Sequence, residues 1–558
     1  MVTVLLSWLA IGTASLIFGK AIVDRIYRDD LDTMGKVDIY FMVGIIFLNI
    51  YAQIFSLFYK VGEAACIILF VAGVILTGKC IVRCIRERRS PVSFGFLKEH
   101  PYRLILIGGG VCGTLAWMLQ APTHPDTGLY HAQAIRWIEE YGIVPGLGNL
   151  HMRLAYNSAF MSLQALFSFK WLLGQSLHTL NGFFCLFCIG YAVMTVRTRK
   201  EMRWSVSDIL KCFMLFYIVM QRHHLSSPCT DIWAMLLVFY VCTKWFEFAE
   251  KDEQTVTPWC FICLITVYAV TVKLSGVPIV LLVAYPLAML VKNKDVKRIL
   301  SNIAASVFIG LPFLARNVIL SGYLIYPYAS IDLFPVDWKM VRSEVDSDSF
   351  FIKIYGWGYT TRREYEKSLI KRIPHWFQTQ SAGTKMLIFA GTVCAMILLF
   401  QLYQYVRSQK MRESVFIVTI LISLLFWFVT APLDRYGAVY FMIVIAAAMG
   451  VILEWRWNAA MNRLMDLSAL LVMVVLCGIY MGRLEVVYAT ERAYFVRQPD
   501  YPEWPIVQGQ IDDVVVWVPE EGGSTGYSAF PSAPDKKRLE KIHLRGDGFK
   551  EGFYREKE

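Results

Sequence analysis

The sequence predicts an all-α polytopic membrane protein with about 14 transmembrane helices, and its composition and apolar segments carry that prediction. Hydrophobic residues fill 56% of the 558 positions and charged residues only 18%, whereas soluble domains carry roughly a quarter charged residues. Apolar stretches long enough to cross about 30 Å of hydrocarbon recur along the chain. The net charge of +11 is typical of basic cytoplasmic loops in such proteins, so nucleic acid is not an expected partner.

The apolar segments define the expected spans. They are 2–19, 38–58, 62–83, 102–119, 178–196, 207–221, 231–247, 256–272, 275–291, 299–317, 385–405, 414–430, 436–454 and 466–483. We expect the first to be a retained helix and not a cleaved signal peptide, because its basic residues Lys20, Arg25 and Arg28 follow it.

Five short basic segments set the predicted orientation. They read KCIVRCIRERRS, RTRKEMRW, KNKDVKR, RSQKMRES and EWRWNAAMNR, and alternate crossing puts all five on one face, which the positive-inside rule makes cytoplasmic. The predicted organisation is an N-terminal three-helix membrane segment (1–100), a transmembrane core (101–483) with external loops 120–177 and 318–384, and an external C-terminal tail (484–558).

The outer loop 318–384 and the tail are expected to hold small ordered elements. A long structureless loop is unusual in a compact protein, so short helices covering the site are expected within 318–384. The tail's QGQIDDVVVWVPEEGG reads as one or two strands ending in a turn. This tail is too short to form an independent catalytic domain.

Cysteine use points to packing and not to disulfides or metal. Twelve of the 13 cysteines lie within apolar runs or at their cytoplasmic ends, including the two C-x-x-C pairs at 185–188 and 260–263. Thiols inside apolar helices are expected to pack as small hydrophobes. Only Cys229 falls at an external turn, so no external disulfide is expected within the chain.

An acidic residue between two histidines marks the first external loop. The stretch APTHPDTGLYHAQAIRWIEEYG places Asp126 after His124 and before His131. Two interpretations of Asp126 follow from the pattern: it caps the helix that begins here, or its carboxylate accepts a proton from a substrate hydroxyl at the membrane surface.

The helix expected at 129–141 is amphipathic. Advancing 100° per residue collects aromatic and aliphatic side chains on one side and Gln133, Arg136 and Glu140 on the other. The pattern is typical of an interfacial helix with its aromatic side toward the lipid and its polar side toward water.

Further polar and ionisable residues are predicted at the outer ends of spans or in outer loops. They are His151, Arg153, Arg222, His223, His224, Asp231, Lys273, Arg316, Tyr326 and Arg435. Each cation alone can be explained as a long side chain reaching the interface. Together they suggest a polar pocket for a phosphorylated substrate, because ionisable groups near spans usually face a cavity and guanidinium groups match phosphate oxygens.

The arrangement resembles a known superfamily. An acidic residue in the first large external loop, a juxtamembrane helix and many spans are similar to the GT-C superfamily of integral-membrane glycosyltransferases. More narrowly, a poorly characterised bacterial family of multi-spanning envelope-polysaccharide proteins resembles this chain from about residue 120 onwards. The segments are HPDTGLYHAQAIRWIEEYGIVPGLGNLHMRLAYNSAF, SSPCTDIW, KLSG, RNVILSGYLIYPY, APLDRYG and VWVPEEG … LRGDGFKEGF. That family often carries Cys and Trp where this tail reads GGSTGYSAFPSAP, so its tail cross-link is not expected here.

The resemblance implies a GT-C-like catalytic core and an inverting sugar transfer. The donor would be a polyprenyl phosphate or diphosphate sugar and the acceptor an envelope glycan or lipid, on the extracytoplasmic face of the bacterial inner (plasma) membrane. Asp126 would be the catalytic base, and Lys273, Arg316 and Arg435 would stabilise the departing phosphate. The other candidates for substrate or phosphate binding are His124, His131, His151, Arg153, Arg222, His223, His224, Asp231 and Tyr326. No cofactor is expected, and a divalent metal is not favoured because Asp126 is followed by Thr and Gly and not by a D-x-D pattern.

Two alternatives remain open from the sequence. An envelope polysaccharide polymerase or ligase would depend on Arg and His residues of 318–384 more than on Asp126. A flippase or transporter for lipid-linked sugars would show internal repeats and broken midplane helices, and no convincing repeat is seen, although Pro278 and Pro312 permit kinks.

Overall fold

The chain folds as a bundle of helices with two small hairpins near its C-terminus. The computed structural model describes residues 1–87, 101–196, 204–456, 478–479, 482–483, 485–488 and 492–556. Among them, nine helices are long and apolar enough to cross a membrane. These helices indicate a multi-pass, all-α membrane protein, as the sequence predicts.

The helices and strands have the following bounds. The helices are α1 (Val2–Ile26), α2 (Leu31–Met34), α3 (Val37–Phe58), α4 (Glu63–Glu87), α5 (Pro101–Met118), α6 (Ala132–Tyr141), α7 (Leu147–Leu150), α8 (Ala159–Leu166), α9 (Lys170–Leu173), α10 (Leu180–Thr195), α11 (Val206–Met220), α12 (Thr230–Glu250), α13 (Thr257–Val272), α14 (Ala284–Lys292), α15 (Val296–Ser321), α16 (Arg342–Gly356), α17 (Leu369–Thr379), α18 (Ala382–Arg407), α19 (Met411–Thr430), α20 (Asp434–Arg456) and α21 (Lys536–Leu539). The strands are β1 (Ile506–Ile511), β2 (Val514–Pro519), β3 (Ile542–Leu544) and β4 (Phe553–Arg555).

The first thirteen predicted spans each coincide with a described helix. The predicted span 275–291 combines a 3-10 segment, Leu274–Val283, with α14. Helices α10 and α13 have 16 residues each and so are about 24 Å long at 1.5 Å per residue, less than the full hydrocarbon thickness. The predicted span 466–483 lies outside the described residues, apart from 478–479 and 482–483.

Residues 120–177, predicted as the first external loop, contain an apolar helix, α8, that was not predicted as a separate element. Every residue of α8 is buried, and the helix packs against α3 and α6. Residues 120–177 therefore form a layer on the bundle, since an eight-residue helix with no exposed face must be enclosed by other elements.

Helix α12 forms the centre of the bundle. Of its 21 residues, 18 are buried, and it packs against α10, α11, α13 and α20. Near its C-terminal end the Lys244 ammonium lies 2.6 Å from Asp38 of α3 and 2.9 Å from Glu247. Buried charges require such pairing, because an unpaired ion in a low-dielectric interior costs several kcal/mol.

The C-terminal segment packs onto the first external loop as one apolar core. Strands β1 and β2 form an antiparallel hairpin, as do β3 and β4, so the predicted strands are present and a second hairpin follows them. Val516, Val518 and Phe553 share this core with Trp137 of α6 and Leu150 of α7. The tail is therefore an integral part of this end of the bundle, and the aromatic side of α6, which was expected to face lipid, packs against the tail instead.

Helices α1 and α3 cross so closely that only glycine fits at two positions. A Cβ on Gly19 would overlap the backbone carbonyl of Tyr40, and a Cβ on Gly44 would overlap that of Ser15. Small residues at helix crossings allow this approach in membrane proteins.

We expect Gly44→Ala to lower the thermal unfolding temperature of the detergent-purified protein, because the backbones of α1 and α3 must separate. Gly73→Ala in α4 is the matched control, since no atom lies within 4 Å of its Cβ position. The control should leave stability unchanged or raise it by up to about 1 kcal/mol. Equal effects of the two substitutions would contradict the close crossing.

Candidate active site around Asp126 and Arg435

The loop that carries Asp126 is fixed to a neighbouring turn by hydrogen bonds. The backbone N–H groups of Thr123 and His124 both donate to the hydroxyl of Ser227, each at 3.0 Å. The Thr123 hydroxyl donates to the carbonyl of His223 at 2.6 Å. The segment from α11 to α12 therefore sets the position of the loop.

Asp126 does not cap the helix that follows it. One turn of π-helix, Thr127–His131, leads into α6, and Asp126 occupies the N-cap position without any side-chain capping hydrogen bond. One of its carboxylate oxygens lies 3.3 Å from Nη1 of Arg435. The capping interpretation is therefore not the arrangement seen here, and the carboxylate faces a cationic cluster.

Arg435 joins two carboxylates. Besides Asp126, its guanidinium contacts Asp231, with Nε 3.4 Å from Oδ2. The other oxygen of Asp231 pairs with the ammonium of Lys273, which also lies 4.5 Å from the ring centre of Tyr436. The result is a chain of alternating charge, Asp126–Arg435–Asp231–Lys273, which we call the charge chain.

The two acids of the charge chain differ in accessibility. The Asp231 side chain is 6% exposed and each of its oxygens faces a cation, whereas the Asp126 side chain is 22% exposed. Asp231 is therefore suited to neutralise and position Arg435 and Lys273. Asp126 is the carboxylate that a substrate can reach.

Helix ends bring these residues together. Asp231 lies in the first turn of α12, where the helix dipole favours an acid. Arg435 lies in the first turn of α20, where the dipole disfavours a cation, and Lys273 follows the last residue of α13. The two carboxylates are what stabilise Arg435 at this unfavourable end of a helix.

Asp126 is ionised at neutral pH. Burial alone would raise the pKa of its carboxyl, but His131, Arg435 and His124 together hold the pKa below its usual value. Burial also lowers the pKa of His131 to about 3, so Arg435 is the partner that stays charged at neutral pH. Asp126 can therefore accept a proton, although its lowered pKa makes it a weak base.

The two neighbouring histidines have unsatisfied hydrogen-bonding capacity. Nδ1 of His124 faces the N–H of Asp126 and Nε2 faces Nη1 of Arg435, both at 3.2 Å. A neutral imidazole cannot accept at both nitrogens, so one of these donors is left available. Among the described residues, both ring nitrogens of His131 and the hydroxyl of Thr127 are buried without a partner. Such groups usually mark a bound water or ligand.

The 3-10 turn Arg222–His224 precedes α12, and only part of it contacts residues next to the charge chain. His224 packs edge-on against His124 at 5.2 Å and reaches the Thr123 hydroxyl at 3.2 Å. Arg222 and His223 instead pack on Trp117, at 5.7 and 4.7 Å. Of the three predicted residues, His224 is the one close to Asp126.

Arg316 lies apart from the charge chain. It is 2% exposed in α15, and among residues the structure describes its hydrogen-bond partners are the neutral Ser56 and Asn157. It lines a cavity of about 20 Å³ together with Tyr156, which is space for one water molecule. The expected grouping of Arg316 with Lys273 and Arg435 is therefore not seen in its contacts.

A second polar cluster collects other predicted residues. The hydroxyls of Tyr326 and Tyr156 donate to the same oxygen of Asp348, at 2.7 and 2.6 Å, and burial raises the pKa of that carboxyl. Arg153 is near enough to favour the ionised form of Asp348. His151 accepts from the backbone N–H of Arg153 at 3.1 Å, so it caps the 3-10 turn Met152–Ala155 and has a structural role.

Several residues of these clusters were not predicted from the sequence. They are Tyr156, Ser227, Tyr436 and Asp348. Tyr436 could have been found, because it follows Arg435 directly at the start of α20. Ser227 and Asp348 act through contacts with distant segments, and nothing in their local pattern identifies them.

One group of side chains has the composition of a metal site. Ligand atoms of His124, Cys229 and Asp231 lie within 4.8 Å of one another. Both oxygens of Asp231 already face cations, and burial raises the pKa of the Cys229 thiol to about 12. A metal ion would have to displace Lys273 or Arg435 and deprotonate the thiol, so this donor set fits a metal poorly.

The C-terminal segment covers the Asp126 turn and the polar side of α6. The N–H groups of Thr525 and Gly526 both donate to the carbonyl of Gly128 at 3.1 Å. Gln133 donates to the carbonyls of Gly526 and Ala529 at 2.8 and 2.7 Å. The expectation that this side of α6 faces water is therefore wrong, because tail carbonyl groups accept its hydrogen bonds. The residue pattern of one helix carries no information about such a partner, because the tail lies about 390 residues away along the chain.

Substitution of Gly128 should detach the tail from the Asp126 turn. A Cβ there would lie 2.5 Å from the ring of Trp504, so Gly128→Ala should speed protease cleavage between residues 498 and 531. Gly190→Ala is the control, because its Cβ position has open space. Unchanged cleavage of Gly128→Ala would show that the tail does not rest on this turn.

The Asp231–Lys273 pair should behave as a coupled unit. Asp231→Asn alone leaves two cations with one acid, and breaking a buried pair from one side typically costs about 3–5 kcal/mol. Adding Lys273→Met should recover part of that loss, measured as thermal unfolding in detergent. Strictly additive effects would show that the two side chains do not interact.

Comparison with known proteins assigns a family without an assigned activity. No curated protein and no solved structure matches the chain. A family described as "Domain of unknown function (DUF8201)" matches residues 1–442, a range that includes the whole charge chain and excludes the tail that covers it. The chain belongs to the DUF8201 family.

Proposed function

We propose that the protein is a membrane glycosyltransferase of GT-C type. It transfers a sugar from a polyprenyl phosphate or diphosphate to an envelope glycan or lipid on the extracytoplasmic face of a bacterial inner membrane. The observation that carries the proposal is the charge chain, in which a partly exposed Asp126 lies beside Arg435. A base next to cations is what an acceptor hydroxyl and a phosphate leaving group require.

In the proposed reaction Asp126 is the base. The acceptor oxygen forms a bond to the anomeric carbon, and its proton passes to the Asp126 carboxylate. The bond between the anomeric carbon and the phosphate oxygen breaks, and its electron pair stays with the phosphate. Attack opposite the leaving group inverts the anomeric configuration.

Arg435 and Lys273 are the residues that bind the leaving phosphate in this proposal. Asp231 keeps both cations in position before the donor arrives, at a contact of 3.4 Å to Arg435. Because a neutral His124 can accept at only one of its two nitrogens, either Arg435 or the N–H of Asp126 has a donor available for a phosphate oxygen. Arg316, with its separate neutral partners, is not given this role.

The proposal includes fourteen spans with the charge chain on the outer face. Nine candidate helices and three of the four shorter apolar ones among the described residues support a large number of crossings, the fourth (Ala159–Leu173) belonging to the predicted external loop. The candidate span Leu274–Lys292 runs from Lys273 to the basic loop KNKDVKR, and α19 runs from the basic loop RSQKMRES to the turn before Arg435. The charge chain and these loops therefore lie at opposite ends of both helices. This separation supports an outer site, since the basic loops are expected inside.

The contacts of the outer segment 318–384 favour this function over a polymerase or ligase. Arg372 stacks on Trp357 at 4.2 Å and donates to the Tyr365 hydroxyl. His375 stacks on Tyr359 at 4.2 Å. Because aromatic packing already engages these side chains, they are poorer candidates for chemistry than Asp126.

We expect Asp126→Asn to lower turnover by about 10²–10⁴-fold, the usual contribution of a general base, while binding of polyprenyl-phosphate sugar persists. Transfer to envelope glycan and donor binding would be measured with the purified protein in nanodiscs. The matched control is Asp513→Asn, an exposed acid between β1 and β2, which should keep full activity. Full transfer by the Asp126 variant would reject its role as base.

A further inference from the structure

Helix α17 presents a largely exposed apolar face, at whose end the Lys385 ammonium lies 5.7 Å from the ring centre of Phe377. Leu369, Ile370, Ile373 and Phe377 lie within about 100° of one another on a helical projection, and all four are exposed, Ile370 to 84%. In a water-soluble setting four large apolar side chains on one exposed face would be unfavourable. We therefore expect this face of α17 to contact an apolar environment.

The adjacent side of the helix is firmly attached to the protein. Trp376 is 3% exposed and its indole N–H donates to the carbonyl of Pro432 at 2.8 Å. Its ring also packs edge-on against Trp357 and Trp427. Because Trp376 fixes the rotation of α17, the exposed apolar face has one defined direction.

The apolar face continues into a membrane span. Only residues 380–381 separate α17 from α18, which is one of the candidate spans. Met386 and Phe389 in the first turns of α18 are 74% and 72% exposed, as expected for side chains that contact lipid. The exposed side chains of α17 therefore lie where the span meets the membrane surface.

The segment around α17 is strongly basic. Between residues 360 and 385 there are six Lys or Arg and two Glu, and Lys367 and Lys371 are exposed. Basic residues beside an apolar helix face attract anionic headgroups, at about 1 kcal/mol for each residue near the surface. The segment is thus complementary to acidic phospholipid.

We propose that α17 lies in the membrane interface, with its apolar face among the acyl chains and Lys367 and Lys371 on the phosphates of anionic phospholipids of the bilayer. This surface is separate from the charge chain and does not depend on the proposed transfer reaction. The two are connected through the chain, because the carbonyl of Pro432 accepts the hydrogen bond from Trp376 and Pro432 precedes Arg435 by three residues. Lipid contact on α17 thereby supports the turn that presents Arg435.

The test places a fluorescent amino acid at Ile370 or at Gln378 of the full-length protein in nanodiscs. Both positions are exposed, and they lie on different sides of α17. Acyl-chain-brominated lipid should quench the probe at 370 and leave the probe at 378 largely unquenched. Equal quenching at both positions, or none at 370, would overturn the proposal.

A second arm of the test identifies the headgroup. Quenching at 370 should increase when phosphatidylglycerol replaces phosphatidylcholine, and this increase should be lost in a Lys367→Gln/Lys371→Gln variant. Lys536→Gln/Lys537→Gln in α21 is the control pair and should keep the increase. No dependence on phosphatidylglycerol would overturn the anionic partner. A response to added polyprenyl phosphate alone would replace bulk lipid with the donor as the occupant.

Discussion

The contact of the Arg435 guanidinium with two carboxylates is the interaction on which the arrangement of this end of the bundle depends. Arg435 lies at the start of a helix, where the dipole disfavours a cation, and it is 29% exposed. The negative charges of Asp126 and Asp231 compensate the unfavourable helix dipole and the partial burial of the Arg435 guanidinium, and Lys273 neutralises the second charge of the two acids. Because a buried charge without a partner costs several kcal/mol, the loop before α6 and the ends of α12, α13 and α20 must meet in one arrangement.

The parts around this contact restrict the position of Asp126. Ser227 fixes the chain just before it, and the backbone of Thr525 and Gly526 fixes Gly128 just after it. The tail that supplies the second contact lies outside residues 1–442, the range that matches the family. The geometry of the candidate site thus depends both on residues within the matched range and on a C-terminal cover outside it.

Much of the bundle and part of the site could be predicted from the sequence. The length of an apolar segment identifies a helix because it is a local property of the sequence. Thirteen expected spans coincide with helices of the structure. Asp126 was predicted as a candidate in the first external loop, and Asp231, Lys273 and Arg435 were predicted as ionisable residues at the ends of spans. The separation of Arg316 from them was not foreseen, since position along a span does not define which neighbour a side chain faces. The cover on α6 was missed for the same reason: Gln133 and Arg136 look solvent-facing until the tail is in place.

The most direct test of the account is the anomeric configuration of the product formed from a polyprenyl-phosphate sugar of known configuration. Purified protein in nanodiscs would be supplied with a panel of such donors and with envelope glycan, and the new linkage assigned by NMR. A single displacement assisted by Asp126 predicts an inverted linkage. A retained linkage, or no transfer from any lipid-linked sugar, would contradict it.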